Sequence, residues 1–268
     1  MKPLCIDLFC GLGGWAEGFL SEGYWVIGFD IEKHDYGFGS YPGQLVLQDV
    51  LTLHGSQFKD AAVIVASPPC QKYSYMAMPW KKAKELIRYY EASAERRAEL
   101  TAMFDACFRI QREASEAAGR HIPLIVENVR GAQRWVGRAK WNFGPFYLWG
   151  DVPALMPTAF RIQKFNPDGT AHGQGSWFAI SNSKNRGVGQ NLDGRKIKES
   201  CSPRRWEDLE VKRLRDADNF GWRGSIMREG TSHGTKRKAA SAQIAKIPFP
   251  LAQHIARVYK PVDTLMYA

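Results

Sequence analysis

The sequence predicts an α/β protein built on a mainly parallel, doubly wound sheet, with a small second region appended. Three stretches carry that expectation. Leu4 to Phe9 is an apolar strand pattern broken by Cys10-Gly11-Leu12-Gly13-Gly14 before a helical stretch from Trp15 to Ser21. Strand, glycine turn, helix is how a parallel sheet presents backbone N–H groups to a nucleotide-like ligand. Val63-Ile64-Val65-Ala66 is a strand-forming run closed abruptly by Ser67-Pro68-Pro69-Cys70, and Pro123 to Val129 is another, with one carboxylate, Glu127, embedded near its end.

Taken in order, the first strand holds Asp7 in its interior, and a second, Trp25 to Phe29, ends in Asp30. An acid about twenty residues after a glycine turn can accept both hydroxyls of a ribose. The glycine spacing departs from the dinucleotide pattern and there is no second fingerprint for a pyrophosphate. An adenosine-bearing ligand without pyrophosphate, S-adenosylmethionine, fits better. A third short strand, Leu45 to Leu47, leads into Gln48-Asp49-Val50, where Asp49 can cap the segment from Leu51 to Phe58. Lys72 to Lys84 interleaves aromatics with lysines and lacks a period, so it reads as a loop that meets nucleic acid through stacking and charge, with Lys72, Tyr75, Lys81 and Lys82 as candidates. Glu85 to Arg120 is helical in composition, with Leu100, Met103, Cys107 and Ile110 on one stripe. Phe146 to Asp151 reads as a further strand and turn. Residues 165 to 205 are laden with turn formers, Ser232 to Lys238 is a basic run, and Pro248 opens a last helix through Ile255 and Val258.

Composition narrows the function. A chain of 268 residues with 44% hydrophobic content is long enough for one sizeable core and excludes a disordered protein. No run approaches eighteen apolar residues, and Met1-Lys2-Pro3 enters a strand pattern without signal-peptide character, so an intracellular location is expected. Five cysteines without Cys-x-x-Cys spacing favour neither a disulfide framework nor a zinc site. The net charge is +10, and residues 184 to 238 hold fifteen Lys and Arg against eight Asp and Glu. That imbalance is the footprint of a polyanion binder.

Two residues carry candidate chemistry. The proline pair fixes the backbone that bears Cys70, and a stiffly held, partly exposed thiol suits covalent catalysis. Glu127 lies between apolar neighbours, where a carboxylate is costly to keep ionised and so pairs, protonates or serves as an acid.

Together with the glycine-rich start, these stretches resemble the cytosine-C5 DNA methyltransferase family, of the small bacterial or phage type. The family's nucleophile motif, Pro-Cys-Gln followed by an aromatic-Ser pair, stands at Pro69-Cys70-Gln71 with Tyr73-Ser74, and its acid motif stands at Glu127-Asn128-Val129. Its cofactor loop matches Asp7 to Gly14. The resemblance covers residues 1–151 and 239–259. It implies a Rossmann-like, S-adenosylmethionine-dependent catalytic domain over 1–151 completed by 239–268, with a small target-recognition region over 152–238. Cys70 would be the nucleophile that adds to C6 of a flipped cytosine, and Glu127 the acid. Asp7, Phe9, Gly11, Gly13, Gly14, Asp30, Ile31, Asp49 and Pro68 would hold the cofactor. Gln71, Lys72, Tyr73, Ser74, Arg130, Arg134 and Arg138 would meet double-stranded DNA. The enzyme is expected to act as a monomer without metal or membrane. Two family features are altered: Asn142-Phe143-Gly144-Pro145 stands where Gln-x-Arg-x-Arg is usual, with Arg134 or Arg138 as substitutes, and Ala245 replaces an Asn of the closing motif. The same chemistry on tRNA, or a catalytically silent DNA-binding protein of this fold, are the alternatives.

Overall fold

The computed structural model describes residues 2–34, 36, 39–74, 80–157 and 235–261. Seven strands form one sheet: β1 (Leu4–Leu8), β2 (Trp25–Asp30), β3 (Gln44–Leu47), β4 (Ala61–Ala66), β5 (Leu124–Asn128), β6 (Trp141–Phe143) and β7 (Phe146–Gly150), in the order β3-β2-β1-β4-β5-β7-β6. The first five run parallel to their neighbours, β7 is antiparallel to β5, and β6 pairs antiparallel with β7. The helices are α1 (Gly14–Ser21), α2 (Trp80–Glu91), α3 (Ala94–Ala118), α4 (Gln133–Val136), α5 (Thr235–Ala245) and α6 (Phe249–Val258). Contacts divide the chain into one unit of Met1–Ile162 with Lys246–Ala268 and a second of Gln163–Ala245. Most of the region expected to recognise the target, residues 158–234, lies outside the described residues, as does Tyr75.

Alternation along each strand divides the core into two layers. Ile6, Leu8, Ile64, Ala66, Leu124 and Val126 share one cluster with Leu100, Phe104, Cys107 and Ile110 of α3. Cys5, Val63, Val65 and Ile125 share the other with Trp15 and Phe19 of α1 and Leu251 and Ile255 of α6. The sheet is therefore covered on both faces, which is why its central strands read as continuous apolar runs.

Three local expectations are corrected. The helical composition of 85–120 is broken at Ser93, whose extended backbone and side-chain oxygen, accepting from the Arg96 N–H at 3.2 Å, start α3 afresh. Lys81 and Lys82, expected in a loop, lie in the first turn of α2. Met103 is 41% exposed; the buried stripe of α3 runs instead through Leu100, Phe104, Cys107, Ile110 and Ala114. No helix among the described residues is long and apolar enough to cross a membrane.

The packing of α6 on α1 depends on glycine. A Cβ at Gly18 would lie 2.4 Å from the Ala252 Cβ and 2.5 Å from the Gln253 N, and one at Gly14 would lie 2.5 Å from the Ile247 N. The pair is tied further by the Tyr24 hydroxyl donating to the Ala256 carbonyl at 3.0 Å and by Lys246 on Glu17 at 2.6 Å. Gly18→Ala gains about 1 kcal/mol of helix propensity, but it overpacks a backbone contact, which costs about 1–3 kcal/mol. The urea midpoint is expected to fall; an unchanged or higher midpoint would show that the helices part freely.

Candidate active site

Leu8 pairs with Ala66 and Ala66 with Val126, so β1, β4 and β5 end side by side at one edge of the sheet. Three candidate segments meet there: the glycine loop after β1, the Pro-Pro-Cys turn after β4, and Glu127 on β5.

The glycine loop needs its glycines. Phe9 (φ 56), Gly11 (φ 49) and Gly13 (φ 75) all adopt left-handed backbone conformations, and a Cβ on Gly13 would lie 2.5 Å from the Pro42 ring. Space opens above Gly11, where an added Cβ meets nothing within 4 Å. The Gly11 N–H donates to Asp30 Oδ2 at 3.0 Å, and the Ile31 N–H to Asp30 Oδ1 at 2.8 Å. Burial works against an ionised Asp30, but hydrogen bonds from His34 and the Gly11 N–H hold its carboxyl below the usual range. Beside it Ile31 is 73% exposed. Asp49 caps the short turn Val50–Thr52, its Oδ1 accepting the Leu51 N–H at 2.9 Å, and remains exposed.

Asp7 lies on the α1 face of β1, fully buried. Tyr41 donates its hydroxyl to Asp7 Oδ2 at 2.9 Å, while Asp7 Oδ1 has no partner. Burial, opposed by the Tyr41 hydrogen bond, pushes Asp7 well above the usual carboxylate range. These residues fit the group that the sequence implies. An anchored, ionised carboxylate retains lone pairs for ribose hydroxyls, an exposed aliphatic side chain stands next to it for a ring face, and a glycine leaves room between.

Cys70 sits half-buried in a tight turn, its carbonyl accepting from the backbone N–H groups of Tyr73 (2.9 Å) and Ser74 (3.0 Å) and from the Ser74 hydroxyl (3.0 Å). Pro68 is buried beneath the turn, its carbonyl held by the Asn128 side-chain amide at 2.9 Å. Burial, and next the Glu127 charge, raise the Cys70 thiol above its ordinary value against an opposing hydrogen bond with Ser74. Glu127 is 8% exposed and pushed up to about 8 by burial, with the Ser67 hydroxyl the one opposing influence. Cys70 and Glu127 are thus brought within electrostatic reach, and burial biases both toward their protonated forms.

The nucleic-acid candidates divide. Gln71 and Lys72 are exposed beside Cys70, and Lys72 reaches Glu99 at 3.2 Å. Arg130, Arg134 and Arg138 are exposed on the segment after β5, with Arg134 bonded to Glu91 at 2.5 Å. Tyr73 is a correction: it is 3% exposed within the α3-side core, and its hydroxyl donates to the Leu100 carbonyl at 2.8 Å, so it anchors the turn against α3 instead of facing a ligand. The hydroxyl of Ser74 is likewise engaged within the turn.

Sequence reading missed Trp15, Tyr41 and Ser67. The Trp15 indole N–H donates to Ser67 Oγ at 3.0 Å. Period-two alternation was the available signal for Ser67, since it follows Val65 on the face that Glu127 shares through the register. Tyr41 lies in a stretch without periodicity and left no signal. No cluster of three or more His, Cys, Asp or Glu able to hold a metal occurs among the described residues.

Residues 4–88 match the family described as C-5 cytosine-specific DNA methylase. The type II methyltransferase M.DdeI of Desulfomicrobium norvegicum is 36% identical over 78 residues, which are 26% of this chain and 19% of that relative's length. Among solved structures, the Dnmt2 methyltransferase of S. pombe is similar at 15% identity and a TM-score of 0.32 over 51% of this chain and 37% of its own. The Entamoeba histolytica methyltransferase EhMeth is similar at 12% identity and a TM-score of 0.43 over 97% and 98%.

Two pH effects follow. A carboxyl raised from 4.5 to about 8 by folding favours the native state while protonated, so its contribution is present below about pH 4.5 and lost as pH rises through about 8. Glu127→Gln is expected to remove that decline, seen as a smaller loss of denaturation midpoint between pH 5 and 9; an identical loss would place an ordinary carboxyl at Glu127. Alkylation of Cys70 by iodoacetamide, followed by peptide mass mapping, is expected to be slow at neutral pH and to accelerate at lower pH in Glu127→Gln than in wild type, because a neighbouring anion is gone. An unshifted profile would show that the two groups do not interact.

Proposed function

We propose, from the match of residues 4–88 to the C-5 cytosine-specific DNA methylase family, that the chain transfers a methyl group from S-adenosylmethionine to C5 of cytosine in double-stranded DNA, through a covalent bond between Cys70 and C6 of a flipped base. The observation that carries this reading is the convergence of a half-buried thiol and a buried carboxyl at the sheet edge where the glycine loop also ends.

Cytosine C5 is a poor nucleophile until the ring is broken open electronically. The Cys70 thiol loses its proton to solvent and its sulfur bonds to C6. The displaced electron density is met at N3, where Glu127 supplies its proton, and C5 becomes an enamine carbon. Burial is what keeps that proton available near neutral pH. S-adenosylmethionine, when bound, supplies an electrophilic methyl on sulfonium. Asp30 would accept the ribose hydroxyls, Phe9 and Ile31 would flank the adenine, Asp49 would meet its edge, and Asp7, Gly11, Gly13, Gly14 and Pro68 would shape the remainder. Loss of the C5 proton to a base then lets the Cys70 sulfur leave as thiolate, and the N3 proton returns to Glu127.

Because C6 is shielded within the stack, the base is extruded at a cost of a few kcal/mol, offset by contacts around it. Gln71 and Lys72 flank the nucleophile, and Arg130, Arg134 and Arg138 supply cations on the neighbouring loop. The +10 net charge supports a polyanionic partner.

Wild-type protein with DNA containing 5-fluorocytosine is expected to form a covalent complex stable to denaturing electrophoresis. Cys70→Ala forms none, and Glu127→Gln forms it about 10²–10⁴ times more slowly. Bisulfite sequencing of DNA from cells expressing the wild type should reveal methylated cytosines at a recurring sequence. Absence of both the complex and the marks, or methyl groups on adenine, would overturn the reading.

A further inference from the structure

We propose that Ser67 is the positioning residue for Glu127: a directed hydrogen-bond chain from Trp15 through Ser67 fixes which carboxyl oxygen bears the proton and ties that choice to the glycine loop at the start of α1. The catalytic meaning of this chain rests on the methyltransferase reading; its geometry stands on the Trp15 bond to Ser67 and on the strand register that sets Ser67 beside Glu127.

The direction of the chain follows from donor chemistry. An indole N–H can only donate, and that of Trp15, buried on α1, points at Ser67 Oγ at 3.0 Å across 52 residues of sequence. Ser67 Oγ is therefore the acceptor in that bond, which leaves its single proton to donate elsewhere, and the register sets the Glu127 carboxyl next to it on the adjacent strand. The pairing of Ala66 with Val126 sets Ser67 and Glu127 one step further along neighbouring strands, on the same face. A carboxyl oxygen that accepts from Ser67 acts as the carbonyl-type oxygen of the acid, so the acidic proton resides on the other oxygen. Ser67 thereby presents Glu127 to a base as a donor of defined orientation.

The start of the chain is equally fixed. Trp15 follows Gly13 and Gly14, and the Gly14 backbone abuts Ile247 so closely that no Cβ fits. Trp15 directly follows the loop that would carry the methyl donor, so the chain to the acid begins at that loop. Other titratable groups surround the pair: Cys70 on the turn after β4, Asp7 on the same sheet face two strands over, and Glu17 on α1, which is paired with Lys246. From β7, the residue opposite Glu127 is the apolar Leu148.

The test begins without DNA. Protein labelled with ¹³C in its glutamate carboxyls is titrated by NMR, with Glu127 assigned by its absence in Glu127→Gln. Ser67→Ala is expected to raise the Glu127 midpoint, Ser67→Thr to restore it, and Trp15→Phe, which keeps the ring but loses the donor, to raise it by a smaller amount. In turnover assays Ser67→Ala should lower kcat by roughly ten- to a hundredfold with KM for DNA little changed, and Ser67→Thr should recover it. Should Ser67→Ala fold poorly, the Trp15→Phe and Ser67→Thr titrations decide alone. An unmoved midpoint in Ser67→Ala or Trp15→Phe, or a Thr variant that folds but titrates like Ala, overturns the proposal. Absent methylation by the wild type would overturn the proposed function while leaving the titration result intact.

Discussion

Parallel pairing of β1 with β4 and of β4 with β5 is the constraint from which the site follows. Parallel strands deliver all their C-terminal ends to one edge, so residues far apart in sequence arrive together without any one of them specifying the others. The Asn128 amide held on the Pro68 carbonyl, 60 residues away, seals that edge. Register matters as much as direction. A slip of β5 by one residue against β4 would turn Glu127 to the α3 face and bring Val126 or Asn128 to the thiol. The continuous apolar runs of β4 and β5, buried on both faces, oppose a slip less than an alternating strand would. The polar locks at the strand ends, Ser67 with Trp15 and Asn128 with Pro68, supply the discrimination that the runs lack.

Two carboxyls buried on the same sheet face carry a desolvation cost that favours their neutral forms. Asp7 and Glu127 both lie far from water and both are raised by it. A neutral acid with one hydrogen bond is much cheaper to bury than a carboxylate. Tyr41 supplies one bond to Asp7, the Ser67 hydroxyl acts on Glu127 to oppose its shift, and the unpartnered Asp7 Oδ1 remains the single buried side-chain polar atom left unmet among the described residues. Asp30 is treated oppositely. Backbone N–H groups and His34 surround it, and it stays ionised although scarcely exposed. One edge thus holds acids tuned in opposite directions by their neighbours alone.

Much of this was legible in the chain. β1, β2, β4 and β5 showed as strand-forming runs, the glycine turn as a break, and α6 by the prolines that open it. Cys70 and Glu127 stood out because a thiol after a proline pair and a carboxylate among valines are costly arrangements in need of a reason. What stayed hidden depended on distant partners. The capping role of Ser93 is only visible once its side chain meets the Arg96 N–H. Met103 fitted the periodicity of a buried stripe, yet the sheet covers only the part of α3 that includes Phe104. Tyr73 looked like a ligand contact through its neighbours in sequence, but α3 lies close enough to take it into the core. β6 is three residues long, too short to show a period, and exists because Gly144 reverses the chain toward β7.

The glycine-lined contact between α1 and α6 joins segments more than two hundred residues apart. α1 leaves the ribosome more than two hundred residues before α6, so through all of that interval Trp15, Ala16 and Phe19 lack the helix that covers them. The sheet can pair and its α3 side can close as those strands and α3 emerge, while the opposite layer waits. Premature termination anywhere before residue 247 would therefore release a product with a bare greasy flank beside the glycine loop, a natural target for chaperones and proteases.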